Sequence, residues 1–559
     1  MRAAIYQINS KYIHSSLASW YLCAAVGEVC DAVVLEGSIN ERDEVLFERI
    51  KALNCDAVCF SVYIWNIDTV VRLSKSVKQY APSVKIILGG PEVAYRARAV
   101  LESYPYVDYV ISGEGEVPLS RLLSALSHGK SDRVEGVSGR DSGGIYISEP
   151  YVMECDPPCP YTDAYFDALG SRISYIETSR GCPFSCAFCL SGRQKLRFFD
   201  IERSKRDILK LAGSGTSTVK FVDRTFNADR RRAVEILGFI IEKHACGEIP
   251  DGVTFHFEIS GALADDAFLS IVKKAPAGLF QFEIGVQSFN ENTLRAINRT
   301  PDTDKLCRVI EELSSYGNVH IHTDLIAGLP HEDKESFKAS YNKLYALGSH
   351  KIQLGFLKLL WGSDMVERRE LYPCEYESSA PYKVKSTPWL CEDDMRELET
   401  AERANDGIFF SGRFDRTVKY LLSATGKTPY DLAYFLGREL YGENSLPLDT
   451  LFCRLYEAVS KEDGVDAARL RDIMLCDRIE KNNSCVIPKA LKISDVRLKR
   501  FSQKIDMLYP RKRNVRRSVG ILYTEGKVIF ADYDSPHPVT DKYTLHSVDI
   551  CDLEKENEA

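Results

Sequence analysis

Apolar residues arrive in short runs over the first 130 positions: AAIYQIN, DAVVLEG, DAVCFSVY, VKIILGG and VDYVISG, each bounded by turn residues. Between them, EVLFERIKAL and TVVRLSKSVKQY space their apolar side chains at helical intervals. Compact apolar runs alternating with amphipathic stretches predict an open parallel sheet covered by helices on both faces. Ligands of such sheets bind outside the carboxyl ends of the strands. Three of those ends carry turn residues: Ser61, Gly89-Gly90-Pro91, and GEGE at 113–116.

The alternation stops between 131 and 170, where SGRDSGG and the Pro-rich MECDPPCPYTDAY predict a linker. Its Cys155 and Cys159 read as loop cysteines. From 171 six further strand candidates follow: RISYIET, TVKFVDR, TFHFEIS, LFQFEIGV, VHIHTDLIAGLP and KIQLGFLKLL. Helical segments such as RRRAVEILGFIIEKH and KESFKASYNKLYAL separate them. Six strand–helix units predict a partial (β/α)6 barrel, whose chemistry gathers at the carboxyl ends of its strands. Beyond about 371 the chain turns mostly helical and ends with a predicted hairpin, VGILYTEGKVIFADYD. The expected division is a Rossmann-like sheet domain over 1–135, a linker over 136–170, a barrel over 171–370 and a helical domain over 371–559.

Composition changes this picture little. At 559 residues, 45% hydrophobic and 27% charged, the chain is an ordinary globular protein with several cores. A net charge of −8 argues against a general nucleic-acid or membrane binder. The basic run RKRNVRR at 511–517 reads as a solvated helix face. No apolar run is long enough to span a bilayer, and MRAAIYQINSKYIHSS lacks the apolar core of a signal peptide. A cytoplasmic protein is expected. Most of its 17 cysteines, such as Cys59, read as small buried hydrophobes.

The exception is RGCPFSCAFCLSG, with Cys182, Cys186 and Cys189 in the turn after the first barrel strand. A structural zinc site takes four protein ligands. Thiolates select zinc or iron–sulfur clusters, and a four-iron cluster normally takes four cysteines. Three cysteines leave one metal position open for a substrate or cosubstrate.

This CxxxCxxC resembles that of the radical S-adenosylmethionine (SAM) enzymes, in which three cysteines hold a [4Fe-4S] cluster and the fourth iron chelates SAM. The resemblance implies reductive cleavage of SAM to a 5'-deoxyadenosyl radical. EIGVQSFNENTLRAINR and HTDLIAGLPHE resemble barrel segments of the oxygen-independent coproporphyrinogen oxidase group. There a Gln, an Arg twelve residues on and an Asp twenty-five further contact SAM, spacings that Gln287, Arg299 and Asp324 keep. Arg299 suits the SAM carboxylate, and Gln287 and Asp324 its ribose or amino groups. Phe188, beside the last cysteine, and Glu258, ending the third barrel strand, are further SAM candidates. The expected Gly-Gly-Glu element is replaced by FVDRTFN at 221–227, where Asp223 substitutes for the acid or serves as a cap or ion-pair residue. Arg224 has no assigned partner.

An open sheet ahead of such a barrel resembles the cobalamin-binding radical SAM class. Gly89 and Gly90 then let the corrin approach the backbone, and Ser61 meets its tail. The Asp-x-His-x-x-Gly motif that ligates cobalt is absent. YIHSSL at 12–17 keeps His14 alone, which reads as a helix-start or core residue rather than a ligand. The resemblance implies methyl transfer through cobalamin to an unactivated centre, with a reductant such as flavodoxin or ferredoxin and sensitivity to oxygen. Two alternatives stand beside it: a tRNA-modifying methylthiotransferase-like enzyme, and a non-catalytic metal-binding module. WGSDM at 361–365 is expected to border the pocket. No catalytic side chain is assigned beyond the cluster, and no motif names a substrate.

Overall fold

The computed structural model describes residues 1–130, 133–300, 302–441, 446–482, 484, 486–510 and 515–555. The chain forms two compact units. The first contains Met1–Lys274, Arg295–Arg299 and Leu357–Thr387; the second contains Ala275–Leu294, Thr300–Phe356 and Pro388–Ala559.

The first unit opens with β1 (Arg2–Asn9), β2 (Asp31–Ser38), β3 (Ala57–Ser61), β4 (Lys85–Gly89) and β5 (Tyr109–Ile111), parallel in the order β2-β1-β3-β4-β5. Alternation within the apolar runs builds two cores. Tyr6, Val58, Phe60, Ile86 and Leu88 pack on one face, and Ala3, Ile5, Cys59, Ile87 and Ile111 on the other. With helices over both faces, no strand needs a polar side, so the runs are almost continuously apolar. Burial pushes the Cys59 thiol well above its ordinary pKa, as expected of a packed hydrophobe.

The expected linker proves partly structured. β6 (Val137–Asp141) and β7 (Gly144–Tyr146) extend the sheet antiparallel from β5, and a helix forms over Asp163–Leu169. Its turn residues lie in the tight β6–β7 connection, a hairpin pattern that resembles a linker in sequence.

β8 (Ser174–Ile176) follows, then the short β9 (Ser179–Arg180) and β10 (Arg197–Phe198), β11 (Thr218–Phe221) and β12 (Thr254–Ile259). β8, β11 and β12 are parallel neighbours, linked by helices including Ile201–Ala212 and Arg230–Ala245. The first helix puts Ile208, Leu211 and Ala212 inward, and the Asp200 carboxylate caps it by accepting from Arg203 N–H.

In the second unit β13 (Phe280–Gln287), β14 (His320–Ala327) and β15 (Lys351–Phe356) are again parallel, with helices Thr303–Ser315 and Lys334–Ala346 between them. Helices from Glu392 to Leu508 follow. The expected hairpin pairs Val519–Leu522 with Lys527–Asp532, and a third strand, Thr544–Asp549, joins it. Leu475 and Ile479 of helix Ala467–Lys481 pack beneath this sheet. Of the basic run at 511–517, positions 511–514 lie outside the described residues. Among the described residues no helix is long and apolar enough to cross a membrane.

Candidate functional site

The cysteine loop of the first unit leaves β8 and is closed by antiparallel pairing of β9 with β10. Its backbone is fixed independently of its thiols. Buried Ala187 donates its N–H to Ile297 O at 3.1 Å and accepts from Met365 N–H at 3.1 Å. Asn298 Nδ2 donates to Ser185 O at 3.1 Å. Gly181 takes φ 84°, and a Cβ there would lie 2.7 Å from the carbonyl oxygens of Gln194 and Lys195, so only glycine fits.

Cys182, Cys186 and Cys189 are all half-buried. Cys182 Sγ lies 3.3 Å from Thr225 Oγ1, and Cys189 Sγ accepts from Ser191 N–H at 3.4 Å. Arg299 Nη1 is 3.8 Å from Cys186 Sγ. Burial pushes the Cys186 thiol up, and the Arg299 guanidinium opposes that shift by favouring the thiolate, the form that ligates metal. Among the described residues no three His, Cys, Asp or Glu side chains converge on one ion. Cysteines that each bind a different iron of a cluster need not converge.

Phe188 is half-buried within this loop, and Glu258 half-buried near the end of β12. Asp223, expected as a SAM contact or as a cap or ion-pair residue, makes its hydrogen bonds to the loop itself. Fully enclosed, it accepts from Thr178 N–H at 3.0 Å, from Thr178 Oγ1 at 2.8 Å and from Ser179 Oγ. Burial nevertheless pushes its pKa up. Asn227 pins the same segment to β12, exchanging two 2.9 Å hydrogen bonds with the backbone of Ser260.

In the second unit, Gln287 ends β13 with φ 71°, where the register against β14 shifts. A left-handed non-glycine residue costs about 1–3 kcal/mol, strain that collects at functional sites. Gln287 is buried, and among the described residues its Oε1 meets no donor. Asp324, half-buried within β14, pairs with Gly285 of β13, and Gln287 pairs with the next residue, Leu325, so Gln287 and Asp324 lie close together on neighbouring strands.

The first unit also holds a cavity of about 770 Å³. Gln7 and Asn9 of β1 and Ser61 of β3 line it at the point where the strand order reverses. Gly89 and Gly90 line it too, and Gly181 and Arg180 reach it from the cysteine loop. Gly90 takes φ 113°, and a Cβ there would sit 2.5 Å from Val62 O. Gln7 is 2% exposed; its Nε2 donates to Ile8 O, but its Oε1 meets no donor among the described residues.

His14 is not a helix-start residue: Ser16 caps the helix Leu17–Val26, while the His14 ring lines the cavity with Nδ1 2.6 Å from Tyr175 Oη. Exposed Arg224 lines the cavity as well. WGSDM is absent from its lining and braces the first unit instead. The Arg96 guanidinium lies 5.1 Å from the Trp361 ring centre, and Met365 holds Ala187 as described. Cys155 and Cys159 are exposed loop residues.

One constellation escaped sequence analysis. Arg180 meets Glu114 at 2.8 Å, Glu116 at 2.5 Å and Glu177 at 3.0 Å, and Arg197 meets Glu114 at 2.9 Å. Burial pushes Glu177 up to about 7 against the pull of Arg180. The available signal was that GEGE and ETSRGC set charged residues at strand ends within otherwise apolar surroundings.

Comparison with known proteins agrees with this geometry. Residues 4–123 match the B12 binding domain, 176–344 the Radical SAM superfamily, and 370–525 a protein family of unknown function, DUF4080. The chain is 31% identical over 349 residues to the cobalamin-dependent radical SAM methyltransferase TokK of Streptomyces tokunonensis, covering 59% of this chain and 49% of TokK. It is 28% identical over 314 residues to 2-(S-pantetheinyl)-carbapenam-3-carboxylate methyltransferase of Streptantibioticus cattleyicolor, covering 53% and 46% of the two chains. The chain thus spans about half the length of these curated relatives. The structure of the cobalamin-dependent SAM radical enzyme OxsB, with aqua-cobalamin and SAM bound, superimposes with a TM-score of 0.58 at 14% identity, over 85% of this chain and 78% of that one. The domains imply a [4Fe-4S] cluster, SAM and cobalamin.

Proposed function

We propose that this chain, with its B12-binding, radical SAM and DUF4080 domains, is an enzyme that cleaves SAM reductively and transfers a methyl group through cobalamin to an unactivated centre. The observation that carries the proposal is the cavity of the first unit, where the switch point of the open sheet and the turn bearing three cysteines line one space. The residues fit both groups. Three thiols in a backbone-locked loop, one beside a guanidinium, suit a cluster with an open iron. A glycine-lined strand end and an orphaned buried acceptor suit a large amide-rich corrin.

In this reading Cys182, Cys186 and Cys189 hold the cluster, with Phe188 and Glu258 near SAM. Arg299 does double duty, favouring the Cys186 thiolate and offering a fork to the SAM carboxylate. Asp223 and Asn227 hold the loop so that the thiols do not have to. Gln287 and Asp324 are the remaining candidates for SAM recognition. Ser61, Gly89 and Gly90 border the corrin. His14, already engaged with Tyr175, is left out of cobalt ligation. When bound, the cluster supplies the electron for SAM cleavage and cobalamin carries the methyl group. Residues 1–135 form the cobalamin domain, 171–370 the radical SAM barrel, and the helical remainder from 371 shapes the substrate pocket. A one-electron carrier such as flavodoxin or ferredoxin serves as reductant, in the cytoplasm.

Anaerobic reconstitution with iron, sulfide and hydroxocobalamin tests the proposal, read by iron content and visible spectrum. About four irons with a bound corrin spectrum supports it. Iron without corrin overturns methyl transfer through cobalamin, and zinc in place of iron overturns the radical chemistry.

A further inference from the structure

Three carboxylates surround one guanidinium in the cavity wall. Glu114 and Glu116 come from the turn after β5 and Glu177 from the end of β8, and Arg180 of β9 contacts all three. Arg197 of β10 adds a second guanidinium through Glu114. Two positive charges against three negative ones leave one negative charge unmatched, and the Glu114 and Glu116 side chains are each only 5% exposed.

The other groups facing Glu177 do not neutralise that charge. Tyr21 of the first helix and Tyr63 after β3 are phenols whose pKa values burial pushes further up, so they stay neutral. Asp223, after β11, is a further carboxylate beside Glu177 and brings no positive charge. A buried unmatched carboxylate takes up a proton or a cation. The rise of Glu177 toward neutrality is the proton-bound form of that choice.

Gln7 gives an independent sign of a ligand in the same cavity. Its Oε1, which meets no donor among the described residues, is an acceptor that a ligand N–H or O–H would satisfy.

We propose that the Glu114–Glu116–Glu177 ring selects a cationic ligand for this cavity, and that binding releases to solvent a proton the ring otherwise shares. The inference rests on the proposed function and deepens it. Two ligands of that reading carry such charge: the sulfonium of SAM and the cobalt(III) corrin of aquacobalamin.

The test is calorimetric titration of the full reconstituted chain at pH 7, in buffers of different ionisation enthalpy, so that proton release is counted directly. One pair of probes is aquacobalamin and cyanocobalamin, which carries one positive charge fewer. The other is SAM and S-adenosylhomocysteine, a sulfide in place of the sulfonium. In at least one pair the more positive member is expected to bind about tenfold tighter and to release a fraction of a proton. The pair that shows this identifies the ligand facing the ring. Glu177→Gln removes the release and narrows the preference to about twofold. Equal affinities within both pairs, with no proton released, overturn the inference even if all four probes bind. Failure of both cobalamins to bind an iron-loaded chain defeats the cobalamin reading, while the SAM pair still decides this one. The wild-type comparisons need no variant, and a thermal melt checks that Glu177→Gln is folded.

Discussion

The turn after β8 and the turn after β4 reach the same cavity, and they are built on opposite principles. The first is defined by reactive side chains, three thiols on a loop whose backbone is tied down at Ala187, Ser185 and Thr178. The second offers no reactive group at all. Val62 N–H donates to Gly89 O at 2.6 Å, and Gly90 sits so close to Val62 that no side chain fits. Ligation demands particular residues, whereas receiving a large flat ligand demands that residues be missing. The two turns should therefore fail separately.

The largest effect expected is on iron. Replacing Cys182, Cys186 and Cys189 together by Ala takes reconstituted iron from about four to near zero, while corrin affinity changes by less than about twofold. Loss of both together would show that the turns are not independent. The mirror experiment is Gly90→Ala. Its Cβ meets Val62 O at 2.5 Å and N at 2.9 Å in a left-handed backbone, so either the turn moves or about 1–3 kcal/mol of strain is stored. Corrin affinity should drop about tenfold or more with iron retained, by hydroxocobalamin titration and iron assay on one sample.

The same contrast explains what was legible in the sequence. The thiol spacing was visible because ligation fixes residue identity, and the strand order because fully buried parallel strands write themselves as apolar runs. The β6–β7 pair was missed because Gly and Ser in a tight hairpin have the composition of a linker. For Asp223, sequence shows an acid at a strand end but not the Thr178 and Ser179 donors that occupy it. In the carboxylate ring, Glu114 and Glu116 lie 66 and 64 positions from the Arg180 they pair with, a separation over which no local pattern carries information. Gln7 is the clearest case. Nothing in AAIYQIN distinguishes a satisfied buried amide from one with an orphaned oxygen.

That ring predicts a pH dependence smaller than the cofactor losses. Glu177 holds its proton up to about 7 when folded, against an ordinary value of 4.5. Between those values the folded chain keeps a proton that the unfolded chain has released, so this contribution to stability is complete below 4.5 and is lost as pH rises through 7. Without bound cofactors, the melting temperature of the wild type should fall relative to Glu177→Gln from about pH 5 to about pH 7.5. Parallel curves for the two proteins would place the proton elsewhere in the ring.

The smallest effect expected comes from the helix that begins beside Gly90. Glu92 is buried there, accepting from Tyr382 Oη at 2.7 Å and paired with Arg96, which itself donates to Tyr382 Oη at 3.1 Å. Tyr382→Phe keeps the ring and its contact with Trp361 but removes the hydroxyl. Because Arg96 still neutralises Glu92, the loss should be about 0.5–1.5 kcal/mol, well short of the cost of an uncompensated buried charge. If Gly89–Gly90 is set by its own contact with Val62, corrin affinity should stay within about twofold of wild type despite that loss. If affinity falls as far as in Gly90→Ala, the corrin turn owes its shape to the Tyr382 brace. Its independence from the rest of the unit would then be limited to the thiol loop.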